Sequence, residues 1–202
     1  MKIMLLARSR LLCAAMAVYL SLVAVAGEPT TDRFIAAALA QTQHQVTYDG
    51  AYRRIPYPGG DVPSDRGVCT DVVIRAYRAI GIDLQQHVHE DMLVAFDAYP
   101  KFWRLSRPDT NIDHRRVPNL QTYFVRHGFD LSISKRAGDY RPGDLVTWTL
   151  PGNLPHIGIV SNRRTADGQR WQVVHNIGRG PELEDMLFAY PISGHYRMQR
   201  DD

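Results

Sequence analysis

The first distinctive pattern along the chain is an uncharged apolar run from Leu11 to Ala26. Three basic residues precede the run, at Lys2, Arg8 and Arg10. Small residues end it, at Ala24-Val25-Ala26. A basic start, a short apolar stretch and a small-residue end are typical of a secretory signal peptide. Because a membrane span needs roughly 20 apolar residues, we predict cleavage after residue 26, a periplasmic or secreted product, and no stable membrane insertion afterwards.

In the first half of the remaining chain, apolar residues recur at the spacing of an α-helix. Four stretches show this period: Phe34–Leu39 behind a Thr31-Asp32 cap, Cys69–Ile80 with Gly81 as its stop, Val88–Tyr99, and Pro118–His127 with Gly128 as its stop. Residues 46–68, between the first two stretches, are rich in Gly, Pro and Asp, which predicts a loop.

The second half changes to short segments of β-forming residues separated by Gly, Pro and Asn. The predicted strands are Leu131–Lys135, Asp144–Leu150, His156–Asn162, Trp171–His175 and Gly194–Met198. Helices followed by antiparallel strands predict a single α+β domain over residues 27–202.

The charge balance changes when the signal peptide is removed. The whole chain has 24 Lys and Arg residues against 21 Asp and Glu residues. Three of the basic residues lie within residues 1–26, which leaves 21 basic against 21 acidic residues. Since nucleic-acid binding needs a clustered positive face, this balance gives no support for a nucleic-acid partner, and we predict none.

Cys69 is the single cysteine that remains once Cys13 leaves with the signal peptide. A lone thiol in an oxidising compartment is buried, paired between chains, or reactive. Cys69 stands at the start of its predicted helix, where the helix dipole lowers the pKa of a thiol and makes it more nucleophilic. Asp71, two residues later, opposes that effect in part.

Two histidines in successive predicted strands complete a candidate catalytic set. His156 opens its strand after Pro155, where a histidine facing the helix start can take the proton of the thiol. His175 ends the next strand, and because adjacent strand ends lie side by side, it can orient the His156 imidazole. Asn176 is a second orienting candidate, although the period of two turns its side chain to the opposite face.

The segment Asp113-His114-Arg115-Arg116 precedes the last predicted helix. Its arginines can hold the carboxylates of a peptide in a bidentate manner, and a salt-bridged loop is an equal alternative. His87 and His89 lie two residues apart, which places them on different faces of a helix, so we predict no metal site there. We predict no cofactor.

The order of these motifs resembles that of the NlpC/p60 superfamily of papain-like cell-wall hydrolases. The matching segments are Tyr57-Pro58-Gly59-Gly60, Gly67-Val68-Cys69-Thr70-Asp71, Pro142-Gly143-Asp144-Leu145-Val146, His156-Ile157-Gly158-Ile159-Val160 and Val174-His175-Asn176. The resemblance implies a papain-like fold in which a helical subdomain carrying the cysteine packs on an antiparallel sheet. It also implies a peptidoglycan stem peptide as the substrate.

By the same resemblance, Cys69, His156 and His175 are the nucleophile, the base and the orienting residue, and Tyr57 lines the site near the nucleophile. Asp71 departs from the superfamily pattern, because a carboxylate two residues after the nucleophile is not common there. It either tunes substrate preference or alters catalysis.

The chain resembles the bacterial domain-of-unknown-function family 1287 more closely still. The segments that carry this resemblance are Asp61-Val62-Pro63, Arg66-Gly67-Val68-Cys69-Thr70-Asp71, Asn111-Ile112-Asp113-His114-Arg115-Arg116-Val117-Pro118-Asn119 and Gly194-His195-Tyr196-Arg197. They extend over nearly the whole mature chain and imply a fold rather than an established activity.

The sequence therefore predicts an exported cysteine hydrolase with a Cys-His-His triad that cleaves an amide bond, as an endopeptidase or amidase. The predicted substrate-binding residues are Tyr57, Asp71, Asp113, His114, Arg115, Arg116 and Asn176. Two alternatives stay open: an acyltransferase or lipid-processing enzyme on the same scaffold, and a non-catalytic envelope-binding module.

Overall fold

A computed structural model describes residues 30–198 of the chain. The predicted signal peptide, residues 1–26, lies outside the described residues. The described part contains four α-helices: α1 (Thr30–Gln41), α2 (Cys69–Ala79), α3 (Leu84–Ala95) and α4 (Val117–Arg126). The four predicted helices are therefore confirmed, with changes at their ends. Between residues 30 and 198, no helix has both the length and the apolar character needed to cross a membrane.

Capping residues explain where the helices begin and end. Asp83 caps α3 by accepting a hydrogen bond from the Gln85 N–H at 3.0 Å, so α3 begins before the predicted Val88. Gly81 and Gly128 adopt positive φ angles of 86° and 69° and end α2 and α4 as predicted.

Eight strands follow or separate the helices: β1 (Thr47–Tyr48), β2 (Arg66–Gly67), β3 (Asp130–Leu131), β4 (Leu145–Leu150), β5 (Leu154–Arg164), β6 (Trp171–His175), β7 (Glu182–Glu184) and β8 (Ile192–Tyr196). The last six form one antiparallel sheet in the order β3-β8-β4-β5-β6-β7, and β1 pairs with β2 in parallel. The predicted α+β class with an antiparallel sheet is confirmed.

One strand prediction is wrong in detail, and one observed strand was not predicted. Residues 131–135 do not form one strand, because the chain turns away after Leu131 and the Tyr140 hydroxyl donates to the Ser134 carbonyl at 2.8 Å. The edge strand β7 was not predicted, because a segment of three residues carries too little alternation to be recognised.

The sheet has an apolar core on each face, since side chains alternate along a strand. On one face, Ile157 and Ile159 of β5 pack with Phe34 and Val73 of the helices. On the other face, Trp148 of β4 packs in a second cluster and donates to the Leu187 carbonyl at 3.0 Å. Trp148 is therefore a core residue.

Asp144 ties the start of β4 to the end of β8. It is fully buried, and its carboxylate accepts hydrogen bonds from Arg197 Nε at 2.6 Å and from the Arg141 N–H at 2.8 Å. His195 Nε2 lies 2.7 Å from Asp144 Oδ2. Burial raises the pKa of Asp144, but the hydrogen bonds from His195 and Arg197 outweigh it, so the pKa lies below its ordinary value.

Asp144→Asn is expected to lower the free energy of unfolding by about 1.5–3 kcal/mol, the usual value of hydrogen bonds to a charged group. A carboxyl with a depressed pKa contributes stability above its unfolded-state pKa and loses it as pH falls through the folded-state pKa. Urea denaturation should therefore show a smaller loss of stability on acidification in the variant than in the wild type. Asp185→Asn is the control, because Asp185 is 41% exposed and pairs with Arg170 at the surface. Equal stability of Asp144→Asn and wild type would contradict the assignment.

Candidate active site

Cys69 is the first residue of α2 and is only 4% exposed. Gly67, just before the helix, allows the Asp71 side chain to lie close to the backbone, because an added Cβ on Gly67 would lie 3.2 Å from that side chain. Backbone N–H groups of Ile157, Thr70 and Cys69 itself lie near the thiol and lower its pKa. The nucleophile candidate therefore lies against β5, at the residue that follows His156.

The pKa of the Cys69 thiol corrects the expectation from the sequence. Burial raises it to about 11, and the nearby Asp71 carboxylate adds to the rise, while the backbone N–H groups oppose it. The helix start alone predicted a lowered pKa. That prediction is wrong because loss of solvation at a buried thiol outweighs the dipole of the helix.

Asp71 is held in a buried ion pair with Arg115. Arg115 Nε and Nη2 each donate to a different carboxylate oxygen of Asp71 at 2.8 Å, and both side chains are at most 3% exposed. Asp71 also accepts a hydrogen bond from the Val68 N–H at 2.7 Å, which caps α2 immediately before Cys69. Both predicted substrate-binding side chains are thus bound to each other and to the backbone.

Arg115 extends this pair to two other segments. Its Nη2 donates to the Asp49 carbonyl at 3.2 Å, and its own carbonyl accepts from the Thr70 hydroxyl at 3.0 Å. The loop after β1, the start of α2 and the segment before α4 are therefore joined at one guanidinium group.

His156 and His175 meet beneath the surface, as the sequence predicted for successive strand ends. His156 is 2% exposed, and its Nε2 lies 3.1 Å from His175 Nδ1, with the two rings nearly perpendicular. Gly158 lies opposite His175 in the β5–β6 register, and an added Cβ there would come 3.0 Å from the His175 Cβ. A glycine at this position therefore allows β6, with His175, to lie close to β5.

The base candidate is neutral at ordinary pH. Burial lowers the pKa of His156 to about 3, and the neighbouring His175 adds to the fall. Burial also lowers the pKa of His175, although the Glu184 carboxylate opposes it. The thiol and the imidazole are therefore both uncharged at neutral pH.

Glu184 of β7 adds a carboxylate that the sequence did not predict. Its Oε2 lies 3.0 Å from His175 Nε2, within ion-pair distance, although the ring N–H is not aligned for a hydrogen bond. The sequence carried no recognisable signal for Glu184, because β7 is too short to show an alternation.

Tyr48 is a second tyrosine at the site that the sequence did not single out. Burial raises the pKa of Tyr48 to about 12, and the charges of Cys69 and Asp71 add to the rise. Tyr48 is 45% exposed. Tyr57 instead packs edge-on against His89 of α3, with ring centroids 5.0 Å apart. The β-forming triplet Val46-Thr47-Tyr48 was the available signal.

The segment before α4 has the contacts of a salt-bridged loop. Asp113 is buried and pairs with Arg116 at 3.0 Å, and the Arg116 guanidinium lies 4.0 Å from the centre of the Trp103 ring. His114 is 2% exposed, and burial lowers its pKa to about 4, with the charge of Arg115 adding to the fall. Of the two roles that the sequence left open, carboxylate binding and a salt-bridged loop, these contacts are those of the loop.

Asn176 ties two loops together near the nucleophile. Its Oδ1 accepts hydrogen bonds from the N–H groups of Gly178 and Gly180 at 3.0 and 3.2 Å, and its Nδ2 lies 3.5 Å from the Gly67 carbonyl. Its side chain serves this junction, whereas His175 contacts His156. Within residues 30–198, the His, Cys, Asp and Glu side chains form no group of three or more that could hold a metal ion.

The Asp71–Arg115 pair is expected to show strong coupling in a double-mutant cycle. Asp71→Ala and Arg115→Ala should each lower the free energy of unfolding by about 3–5 kcal/mol, because each leaves a buried charge without its partner. The double variant should lose clearly less than the sum of the two, as measured by urea denaturation. The exposed pair Arg136–Asp139 is the matched control, for which little coupling is expected. Additive losses at Asp71 and Arg115 would refute the coupling.

Three comparisons relate the chain to known proteins. Residues 35–198 match the family described as Domain of unknown function (DUF1287). A protein of Escherichia coli (strain K12), described as uncharacterized protein YijF, is 55% identical over 150 residues, which are 74% of this chain and 73% of that one. Among solved structures, NlpC1 from Trichomonas vaginalis aligns with a TM-score of 0.46 and 15% identity, and the alignment covers 86% of this chain but only 45% of that one. The extent of the family match and the identity with the E. coli protein together show that the chain belongs to the DUF1287 family.

Proposed function

We propose that the protein is an exported cysteine hydrolase with a papain-like arrangement, in which Cys69 attacks an amide carbonyl and His156 is the base. One observation carries the proposal: His156, whose Nε2 lies 3.1 Å from His175 Nδ1, directly precedes Ile157, whose backbone N–H lies near the Cys69 thiol. A lone thiol at a helix start and a histidine that a second group orients are the components of an activated nucleophile.

The ring nitrogens of His156 have different roles in this mechanism. Since Nε2 contacts His175, Nδ1 is the nitrogen left to serve the thiol. Both groups are neutral at rest, so the thiol proton moves to Nδ1 as Sγ bonds to the carbonyl carbon. Backbone N–H groups at the start of α2 then stabilise the oxyanion.

The second half of the reaction returns the site to its resting state. The His156 imidazolium gives its proton to the leaving amine, and the C–N bond breaks to leave a thioester on Cys69. Water, deprotonated by His156, attacks the thioester and releases a carboxylic acid and the free thiol. No cofactor is needed, because every proton moves between the substrate, water, Cys69 and His156.

The proposed substrate is a stem peptide of peptidoglycan. The motif order shared with the NlpC/p60 superfamily supports it, as does the predicted signal peptide, which would deliver the protein to the periplasm or the medium. In this proposal Asp71 and Arg115 position Cys69 rather than contact substrate. Tyr48, which is 45% exposed and whose pKa responds to the charge of Cys69, is a further candidate substrate contact beside Tyr57.

Digestion of purified sacculi tests the proposal. The wild-type protein is expected to release muropeptides whose masses identify the cleaved amide bond, and Cys69→Ala and His156→Ala are expected to release none above background. His44→Ala is the control, since His44 is exposed and outside the site. Release by Cys69→Ala at the wild-type rate would contradict the proposal, and fragments enlarged by a transferred acyl group would favour the acyltransferase alternative.

A non-catalytic envelope-binding module is a second candidate. The observation that favours it is the thiol itself, which is 4% exposed and has a pKa of about 11, as in an unreactive buried cysteine. The same digestion separates the two candidates. A binding module would co-sediment with sacculi, release no fragments, and bind equally well as Cys69→Ala.

A further inference from the structure

His175 lies between two groups in the sheet, His156 on β5 and Glu184 on β7. In the register of β6 and β7, Glu182 lies directly opposite His175 and Glu184 lies opposite Val173. Glu184 is therefore the diagonal neighbour of His175 on the same face, within reach of a long side chain. Its Oε2 lies 3.0 Å from His175 Nε2, so the order of groups is Cys69, His156, His175, Glu184.

We propose that Glu184 is a positioning residue that sets the tautomers of both imidazoles and so leaves His156 Nδ1 free to accept the thiol proton. This inference rests on the proposed function, because it assigns a role in the activation of Cys69. Glu184 acts through His175 and does not touch the reacting atoms.

The hydrogen-bonding capacity of each group determines which tautomers are compatible. A neutral imidazole has one donor and one acceptor nitrogen, and an ionised carboxylate only accepts. The Glu184 carboxylate therefore favours a proton on His175 Nε2, which makes His175 Nδ1 an acceptor. His175 Nδ1 in turn requires a proton on His156 Nε2, and His156 Nδ1 is left with its lone pair.

The opposite tautomers would block catalysis. If His175 carried its proton on Nδ1, it would donate to His156 Nε2, and the His156 proton would lie on Nδ1. In that state His156 cannot accept the proton of Cys69. The two tautomeric states share the same heavy-atom positions, so a group that contacts His175 on its other side has to favour one of them.

The charges around Glu184 keep it available for this role. Arg179 Nη2 donates to Glu184 Oε1 at 2.9 Å and also pairs with Glu182, which leaves Glu184 Oε2 for His175. The Glu184 side chain is 39% exposed, so a small rotation can align it with the ring N–H. The groups that face His175 are thus His156, Glu182, Glu184 and Arg179.

The tautomers can be measured directly by nitrogen–proton correlation NMR on the purified protein labelled with ¹⁵N-histidine. His156→Gln and His175→Gln assign the two rings. In the wild type we expect both rings to carry their proton on Nε2. In Glu184→Gln, whose amide can also donate, we expect Nδ1-protonated signals from both rings. Glu182→Gln is the matched control, since Glu182 lies on the same strand and shares Arg179, but its charge acts on His175 more weakly than that of Glu184 and it makes no hydrogen bond to the ring.

Turnover of sacculi by the same variants gives the second readout. Replacing the carboxylate that orients a catalytic histidine lowers kcat by up to about 10⁴-fold, and we expect a fall of at least about tenfold for Glu184→Gln because Glu184 acts through a second ring. Glu184→Asp should recover part of the loss, and Glu182→Gln should retain wild-type kcat.

The outcomes separate this inference from the proposed function. Unchanged tautomers in Glu184→Gln, or equal changes in Glu182→Gln, would overturn the role of Glu184. A tautomer change confined to Glu184→Gln would support it even if the wild type released no muropeptide, in which case the hydrolase proposal alone would fail. Altered tautomers with full turnover in Glu184→Gln would also overturn it.

Discussion

The buried ion pair of Asp71 and Arg115 is the contact on which the candidate site depends. It joins the loop after β1, the first turn of α2 and the segment before α4, which are far apart in the sequence. Ion pairs this deep contribute little net stability compared with apolar packing, but losing one partner is costly. The pair therefore specifies where α2 begins, and with it the position of Cys69 against β5.

The same pair affects the chemistry of the thiol. A carboxylate two residues from Cys69 raises the pKa of the thiol, in addition to the larger effect of burial. A resting thiolate is therefore disfavoured, and the proposed base is likewise neutral because burial depresses the pKa of His156. A neutral pair that transfers its proton during attack fits both shifts, and such a pair depends on the correct tautomer of His156 more than an ion pair would.

Elements with a repeating local pattern of apolar residues could be predicted from the sequence. Helical periods located α1 to α4, and strand patterns located β4, β5 and β6, so the meeting of His156 with His175 followed from successive strand ends. Features that depend on residues distant in the sequence could not be predicted. The Asp71–Arg115 pair joins residues 44 positions apart and forms only in the folded chain. Strand β7, with three residues, and β1, which carries Tyr48 and has two, are too short to show a period. The raised pKa of the thiol also escaped prediction, because the depth of burial is a property of the whole packing.

Mass spectrometry of the protein, quenched with acid during reaction with a soluble stem peptide, tests directly whether Cys69 is acylated. We expect an added mass equal to the acyl part of the peptide, located on the fragment that contains Cys69 and lost on treatment with hydroxylamine. His156→Ala should accumulate no such adduct. Product formation without any acyl group on Cys69, or turnover that persists in Cys69→Ala, would contradict the account.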